Sequence, residues 1–528
     1  MCNIKFLRGI PFALLIPCLL IAFIAIIPVL YLTIRSIEAD DSTWLWLLRW
    51  KTLSIVGRSV ALAISVTTIS ILIALPLSFL TNKTDLKFKK IWKICSILPL
   101  VIPSYIGAYL FVSALGPKGI LYQILNSVFN VENIPNLYGF TGALITISLL
   151  TYPYILLTMN ATINNIDTSE EESARILGLN NFAVFKRITL PQLIPSILSG
   201  SLLVALYTLS DFGVVSLLRY KTLTWAIFNQ YNGSIDRHSA ALLSLSLCML
   251  AILFIYLESI FRTKRKQYRS SPGAAKVPKI QKLGYWQMPA IIFCAAIVFF
   301  SLIMPVTILL FWVIRGLMNN ETIPGMLEAS INSLSLGFIT AIVVVILAIP
   351  ISYISVRYPK FISMLIEKIC YTGFSLPSIA VSIALVSIGS QIGSPIYQSI
   401  YMLVIACAIL YMPTGIGPIK SSLELLSPRP EEASRTLGKG NLATITKITI
   451  PMLRPGVFMG AAIVFLVTMK ELPAVLLLSP LNFKTLTTMV WSYSTEAFFA
   501  EAAAPALVLI LLSSLPLTLI ITKNNIYK

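Results

Sequence analysis

The sequence predicts an all-α integral membrane protein with about twelve transmembrane helices, built as two pseudo-equivalent six-helix halves. Charged residues make up 12% of the 528 positions, whereas a soluble domain carries about 25%. The mean hydropathy is +0.86, and many apolar runs exceed the ~18 residues that indicate a membrane span. One long stretch of the chain is also written twice, which predicts two similar halves.

The repeated stretch is polar, in contrast to the apolar runs around it. Glu171–Pro191 reads EESARILGLNNFAVFKRITLP, and Glu431–Pro451 reads EEASRTLGKGNLATITKITIP at an offset of 260 residues. Ten of the 21 positions are identical. The offset continues beyond the stretch, because it also relates Pro153 to Pro413 and Gly200 to Gly460.

Twelve apolar runs are predicted as spans, six on each side of a basic segment. They fall near 10–34, 57–80, 92–115, 140–160, 195–218, 240–261, 287–315, 331–356, 365–390, 399–419, 455–478 and 503–522. The first run is longer than the ~7–15 apolar residues of a signal peptide, so it is predicted as a span. We therefore predict a first half at 1–264, a linker at 265–285 and a second half at 286–528.

Basic residues set the predicted orientation. The stretch 262–282 holds eight basic residues and no acidic one, and the loop at 83–93 holds five lysines against Asp85 alone. Positively charged loops stay in the cytoplasm, so both termini and both copies of the repeated stretch are predicted to be cytoplasmic. The linker has the composition of a flexible tether, although a polybasic segment also suits anionic lipid head groups.

Each copy of the repeated stretch predicts a pair of short helices. Acidic residues favour the first turn of a helix, and a glycine ends it without steric cost, so the first helix is predicted over 171–177 and stops at Gly178. A second amphipathic segment follows, and Pro191 is predicted to end it before the next span. Such a pair suits a partner's binding cleft. A helix lying on the bilayer is the alternative, but it leaves the twin charged and glycine positions unexplained.

The pattern of an acidic residue, a glycine six positions later and a proline thirteen further on resembles the "EAA" loop of ATP-binding-cassette importer permeases. The resemblance implies that the two loops bind a homodimer of ATPase subunits. Glu172 and Glu432 fill the acidic position of the motif, and Gly178 and Gly438 its turn. The residues to which the resemblance assigns ATPase coupling are Glu171, Glu172, Arg175, Gly178, Pro191, Glu431, Glu432, Arg435, Gly438 and Pro451.

The chain has no phosphate-binding loop of its own. That loop needs GxxxxGK[ST], and the one Gly-Lys pair, Gly438-Lys439, is followed by Gly440. We therefore predict that this chain binds no cofactor and catalyses no reaction. ATP-Mg is expected on the separate ATPase subunit.

Ionisable residues at membrane depth are the candidates for the translocation path, because a buried charge is costly and persists mainly where it is functional. Asp211 and Glu471 lie near the ends of their spans at the same 260-residue offset. Lys470, Tyr207 and Tyr105 complete the predicted path. In the alternative, the two carboxylates pair with basic neighbours, namely Lys470, Arg219 or Lys221, and brace the helices.

A narrower resemblance concerns the cargo. YTLSDFGVVSLLRYKT (Tyr207–Thr222), FNQYNGSIDR (Phe228–Arg237), LPLVIPSYIGAYLF (Leu98–Phe111) and TMKELPAVLLLSP (Thr468–Pro480) are similar to fused iron(III) importer permeases. This implies ferric iron delivered by an extracytoplasmic binding protein, periplasmic or lipid-anchored, across a bacterial cytoplasmic (inner) membrane. Permeases for thiamine, phosphonates or polyamines share the architecture and stay open as alternatives.

Composition disfavours several other functions. Seven cysteines and one histidine, with no CxxC pair, predict no soft-ligand metal site, and ferric iron prefers oxygen donors in any case. The net charge of +19 lies between apolar runs, not in a basic patch for nucleic acid. No constellation of catalytic groups or selectivity filter is visible, which disfavours an enzyme and a channel. A secondary transporter remains the alternative class, because it too has internal repeats.

Overall fold

The structure is a computed structural model that describes residues 11–526, except 117–118, 120–125, 128–136, 164–167, 234–237, 262–280, 322, 375 and 394–395. The predicted linker therefore lies outside the described residues except for its end at 281–285. Within the described ranges the chain is helical, and the single bridge of β type joins Thr84 and Gln281.

The helices follow one another with short connections. Their bounds are Phe12–Ile37, Asp41–Leu47, Trp50–Lys83, Lys89–Cys95, Ser104–Leu115, Phe140–Ile163, Thr168–Ile176, Asn181–Val184, Leu190–Ser210, Gly213–Leu217, Leu223–Gly233, His238–Phe261, Gln287–Val298, Met304–Met318, Met326–Arg357, Phe361–Tyr371, Ser378–Ile392, Ile400–Leu425, Arg429–Thr436, Asn441–Thr444, Ile450–Met452, Arg454–Met469, Pro473–Leu478, Leu486–Thr495 and Phe499–Ile526. π-Helical turns occupy Phe185–Thr189, Phe299–Ile303 and Ile445–Thr449.

The all-α membrane architecture is confirmed, with differences in individual spans. Nine helices in the described ranges are long and apolar enough to cross a membrane, and two bent helix pairs raise the number to eleven. The pair in 89–115 bends by 100° and the pair in 445–469 by 70°. The predicted ninth span, 365–390, is divided between Phe361–Tyr371 and Ser378–Ile392, and neither helix is long enough to count as a span alone.

One compact unit comprises Met1–Trp44, Ile227–Cys248 and Asn320–Lys528. Its centre is the helix Met326–Arg357, which packs against Ile400–Leu425 and Arg454–Met469. The N-terminal helix Phe12–Ile37 packs in this same unit, although it belongs by sequence to the first half.

The other compact unit comprises Leu45–Ala226 and Met249–Asn319. Here Trp50–Lys83 packs against Phe140–Ile163 and Leu190–Ser210. The helix Met304–Met318, the leading span of the second sequence half, packs against Ser104–Leu115 in this unit. The units of packing thus cut across the sequence repeat, because each contains the leading span of the other half.

Glycine permits close helix contact in both units. A β-carbon at Gly200 would lie 2.7 Å from the Cα of Ile155, and one at Gly460 would lie 3.1 Å from the carbonyl oxygen of Gly415. Small residues at such crossings let membrane helices approach closely. The span that follows each repeated stretch is thereby fixed against the span that precedes it, and the repeated stretch is held between them.

Candidate coupling site

The first coupling helix, Thr168–Ile176, ends as the sequence predicts. Gly178 adopts φ +89°, and its N–H donates to the carbonyl of Arg175 at 3.0 Å, while the N–H of Leu179 donates to the carbonyl of Ala174 at 3.1 Å. This pair of bonds is the Schellman motif, which satisfies carbonyls at the helix end and favours glycine at the left-handed position.

The second coupling helix, Arg429–Thr436, has the same ending. Gly438 adopts φ +79°, and the N–H of Lys439 donates to the carbonyl of Ser434 at 3.1 Å. Both glycines therefore serve the turn that the sequence assigned to them. The side chain of Arg435 lies outside the described residues.

The prediction that Pro191 ends the segment before the span is wrong. The helix continues through Pro191 because Phe185–Thr189 forms a π turn, in which the N–H of Leu190 bonds to the carbonyl of Phe185, five residues back. The wider turn accommodates a proline that lacks an N–H and would otherwise crowd the preceding carbonyl. Ile445–Thr449 does the same before Pro451.

Glu171 is buried in an ion pair at the inner end of the first coupling helix. The Nζ of Lys83 lies 3.1 Å from Oε1 of Glu171, and the side chain of Lys83 is only 3% exposed. The hydroxyl of Thr189 donates to the same Oε1 at 2.8 Å. Lys83 is the last residue of the helix Trp50–Lys83, so the carboxylate joins the coupling helix, the π turn and a long span.

Glu431 makes the equivalent contacts in the second copy. Arg357, the last residue of Met326–Arg357, approaches Oε1 of Glu431 to 3.1 Å through its terminal nitrogen. Thr449 donates to Oε1 at 3.3 Å, and the hydroxyl of Tyr353 donates to Oε2 at 3.2 Å. Breaking a buried pair by removing one partner costs about 3–5 kcal/mol, so each glutamate is a strong mechanical link.

Sequence reasoning missed Lys83 and Arg357 as members of the site. They stand 88 and 74 residues before their glutamates, so a search at the 260-residue offset does not relate them. The available signal was a basic residue at the end of the long helix that precedes the repeat in each half.

The outer face of each coupling helix has a different character. Leu177 is 83% exposed and Leu437 is 81% exposed, and Glu432 is exposed as well. Glu172 and Arg175 are half-buried at the first copy. The two adjacent glutamates of each copy are thus separated in role, because the first is buried against a span and the second lies toward the outer face.

Gly178 offers a test of the turn. A β-carbon at Gly178 meets nothing within 4 Å, so Gly178→Val acts through the left-handed backbone alone, at about 1–2 kcal/mol. We expect Gly178→Val with Gly438→Val to lower the unfolding temperature slightly but to reduce transport strongly, because the exposed leucine beside each glycine moves. Gly178→Asn, which tolerates this conformation, is expected to retain transport.

A matched control is Gly57→Ala. Gly57 also has open space around it, but it lies inside the helix Trp50–Lys83 with no left-handed backbone. Alanine there is expected to stabilise the protein by about 0.5–1 kcal/mol. Full transport by the double valine variant would contradict a coupling role for the turn.

The predicted path residue Asp211 is buried at the end of Leu190–Ser210. Its Oδ1 accepts the N–H of Val214 at 2.8 Å, which caps the short helix that follows. The hydroxyl of Ser104 also bonds to this carboxylate. Tyr105, the neighbour of Ser104, is buried, and the ring of Tyr207 lies 6.0 Å from that of Tyr154.

Glu471 has the same local role in the other unit. It is buried, and its Oε1 accepts the N–H of Ala474 at 3.1 Å, capping Pro473–Leu478. The hydroxyls of Ser378 and Tyr411 donate to its two oxygens. Lys470 is half-buried beside it. Both carboxylates therefore stabilise a break between helices, and each keeps hydroxyl groups from a neighbouring helix within reach.

Resident metal chemistry has no ligand set in the part of the chain that the structure describes. No group of three or more His, Cys, Asp or Glu side chains is placed there to hold an ion.

Apolar spans with two polar helices at corresponding places, each ion-paired to a long span, define a membrane transport subunit that works with partner proteins. The family of binding-protein-dependent transport system inner membrane components matches residues 70–264 and 345–523. These segments contain both coupling helices and cover most of the chain, so the chain belongs to this family. It is a multi-pass inner membrane protein and a permease of an importer, not an enzyme.

Individual relatives extend this result over the whole chain. The Fe(3+)-transport system permease protein FbpB 2 of Haemophilus influenzae is 30% identical over 97% of this chain and 98% of its own length. The ferric transport system permease protein FbpB of Actinobacillus pleuropneumoniae is 23% identical over 86% of this chain and 69% of its own.

A shorter relative matches only part of the chain. The molybdenum transport system permease protein ModB of Escherichia coli is 24% identical over 37% of this chain and 90% of its own length. A solved bacterial ABC transporter involved in the import of alginate aligns with 43% of this chain and 85% of its own, with 17% identity and a TM-score of 0.36.

Proposed function

We propose that this chain is the membrane permease of an ATP-driven importer that moves ferric iron into the cytoplasm by alternating access. The observation that carries the cargo assignment is the 30% identity to an Fe(3+)-transport permease along nearly the entire chain. Permeases named for molybdenum or for spermidine and putrescine match only 37–38% of the chain, which supports iron over those cargoes.

In this proposal a homodimer of ATPase subunits, carrying ATP-Mg, binds the outer faces of the two coupling helices. A binding protein, periplasmic or lipid-anchored, delivers the cargo from the other side of the membrane. Both termini are cytoplasmic, as the basic loops indicate. When ATP closes the ATPase dimer, Glu171 and Glu431 pull on the ends of two long spans, and the path opens outward.

The experiment is uptake of radiolabelled ferric iron in a deletion strain that expresses this chain with its partners. We expect uptake that fails when ATP is depleted and survives collapse of the ion gradient, which separates this class from a secondary transporter. Excess thiamine, putrescine or phosphonate is expected not to compete. Unchanged iron uptake in the deletion strain, together with lost thiamine uptake, would overturn the cargo assignment.

We propose in addition that Asp211, Glu471, Lys470, Tyr207 and Tyr105 line the translocation path. Buried carboxylates beside hydroxyl groups offer the hard oxygen donors that ferric iron prefers. Asp211→Asn keeps an oxygen that accepts the N–H of Val214 but removes the charge.

We therefore expect Asp211→Asn to leave the unfolding temperature nearly unchanged and to reduce uptake. Asp211→Ala is expected to reduce both, since losing a helix cap costs about 1 kcal/mol. Full iron uptake by Asp211→Asn would reduce the carboxylate to a brace.

A further inference from the structure

The described end of the linker is bound to the loop that follows the first long span. The N–H of Gln281 donates to the carbonyl of Lys83 at 2.8 Å, and the N–H of Asp85 donates to the carbonyl of Gln281 at 3.1 Å. The carboxylate of Asp85 then accepts the N–H of Leu283 at 2.8 Å. These bonds place Lys282 beside the lysine-rich loop.

The resulting surface is strongly basic. Lys87, Lys90 and Lys282 are exposed, and Lys89 and Lys93 add charge to the helix Lys89–Cys95. The one acidic residue nearby, Asp85, is already bonded to the linker end. We call residues 87–94 together with 282–288 the lysine surface.

Apolar side chains project from the same surface. Phe88 is 68% exposed and adopts φ 59°, a left-handed conformation that is unfavourable for a bulky residue. The indole of Trp92 donates to the carbonyl of Lys87 at 3.0 Å and closes this turn. Ile91 and Ile94 are exposed on the helix that follows. The strain therefore accompanies an aromatic ring held away from the protein.

The start of the next helix adds to the apolar part. Tyr285, Trp286 and Met288 are exposed, and the helix Gln287–Val298 packs against Lys89–Cys95. Aromatic residues of this kind concentrate where a membrane meets water. Lysines and exposed aromatic rings thus occur together at the end of a long span.

We propose that the lysine surface binds the head groups of anionic phospholipids, with Phe88 and Trp286 inserted among the acyl chains. The placement in the cytoplasmic leaflet rests on the orientation in the proposed function. Charge complementarity selects the anionic head group, and the exposed rings select a lipid over a soluble anion. Because Lys83 both holds the linker end and pairs with Glu171, a bound lipid steadies the first coupling helix.

The test titrates the purified full-length chain in detergent with phosphatidylglycerol or phosphatidylcholine and counts bound lipids by native mass spectrometry. The variant carries Lys87→Gln, Lys90→Gln and Lys282→Gln. We expect the affinity for phosphatidylglycerol to fall about fivefold per lysine removed, as each basic residue near an anionic surface contributes about that factor. The matched control, with arginine at the same three positions, is expected to bind as the wild type does.

A second variant, Phe88→Asn, separates the surface from the fold. Asparagine tolerates the left-handed conformation, so the unfolding temperature is expected to hold or rise while phosphatidylglycerol binding weakens. Equal binding of both lipids by the wild type, or unchanged phosphatidylglycerol binding in the glutamine variant, overturns the proposal. Neither result bears on iron uptake, because the measurement uses no ATPase and no cargo.

Discussion

Replacing Glu171 with alanine is expected to destabilise the first coupling site by about 3–5 kcal/mol, because Lys83 is left as a buried charge without its partner. The pair is sealed from solvent, with N–O distances of 3.1 and 3.3 Å. The expected result is a lower unfolding temperature of the purified chain and loss of iron uptake in cells. Glu431→Ala is expected to behave in the same way, since Arg357 loses the same kind of partner.

Two controls distinguish the buried link from a general need for acidic residues. Glu432→Ala removes the exposed neighbour of Glu431 and is expected to leave the unfolding temperature unchanged. The pair Lys83→Met with Glu171→Leu removes both charges, and apolar replacement of a buried ion pair is often neutral. It is expected to recover most of the stability lost in Glu171→Ala. If Glu171→Ala unfolds at the wild-type temperature, the buried link has no energetic weight.

Replacing Leu177 and Leu437 with glutamate is expected to abolish binding of the ATPase subunits while the permease stays folded. Both side chains are more than four-fifths exposed, so the fold loses little packing. A docked leucine, by contrast, contributes about 1.5–3 kcal/mol when it is buried, and a desolvated carboxylate adds a further penalty. The measurement is co-purification of the ATPase with the tagged permease.

Leu481→Glu is the matched control for the docking variant. Leu481 is 81% exposed, as Leu437 is, but it lies in the loop at 479–502, which is predicted to face the opposite side of the membrane. This variant is expected to retain the ATPase. Equal ATPase recovery from the Leu177→Glu, Leu437→Glu variant and from wild type would show that the outer faces are not the docking surface.

Most of the membrane architecture follows from hydropathy, but the direction of the helices does not. Apolar runs locate the spans, and they cannot show that the pair within 89–115 bends by 100°. The run at 365–390 has the length of one span, yet its two helices are interrupted around Thr372–Phe374. Nor does a repeat show which span packs where, so the placement of Phe12–Ile37 in the unit of the second half was not predictable.

The coupling site was predicted in outline from the twin motif. The glycine turns follow from local backbone physics, and both copies have them. The difference between Glu171 and Glu172 does not, because adjacent residues on a helix face different directions only with respect to a neighbour that the motif does not contain. That neighbour is Lys83, which is distant in sequence. Pro191 misled for a related reason, since a π turn accommodates it.

The central claim is that buried Glu171 and Glu431 transmit ATPase motion into the long spans. The most direct measurement is the ratio of iron transported to ATP hydrolysed in proteoliposomes containing the complete complex, for wild type and for Glu171→Gln with Glu431→Gln. The outer faces are intact in this variant, so the ATPase is expected to stay bound and to hydrolyse ATP. The ratio is expected to fall about tenfold or more, because a loss of about 1.4 kcal/mol already corresponds to a factor of ten. An unchanged ratio would contradict the account.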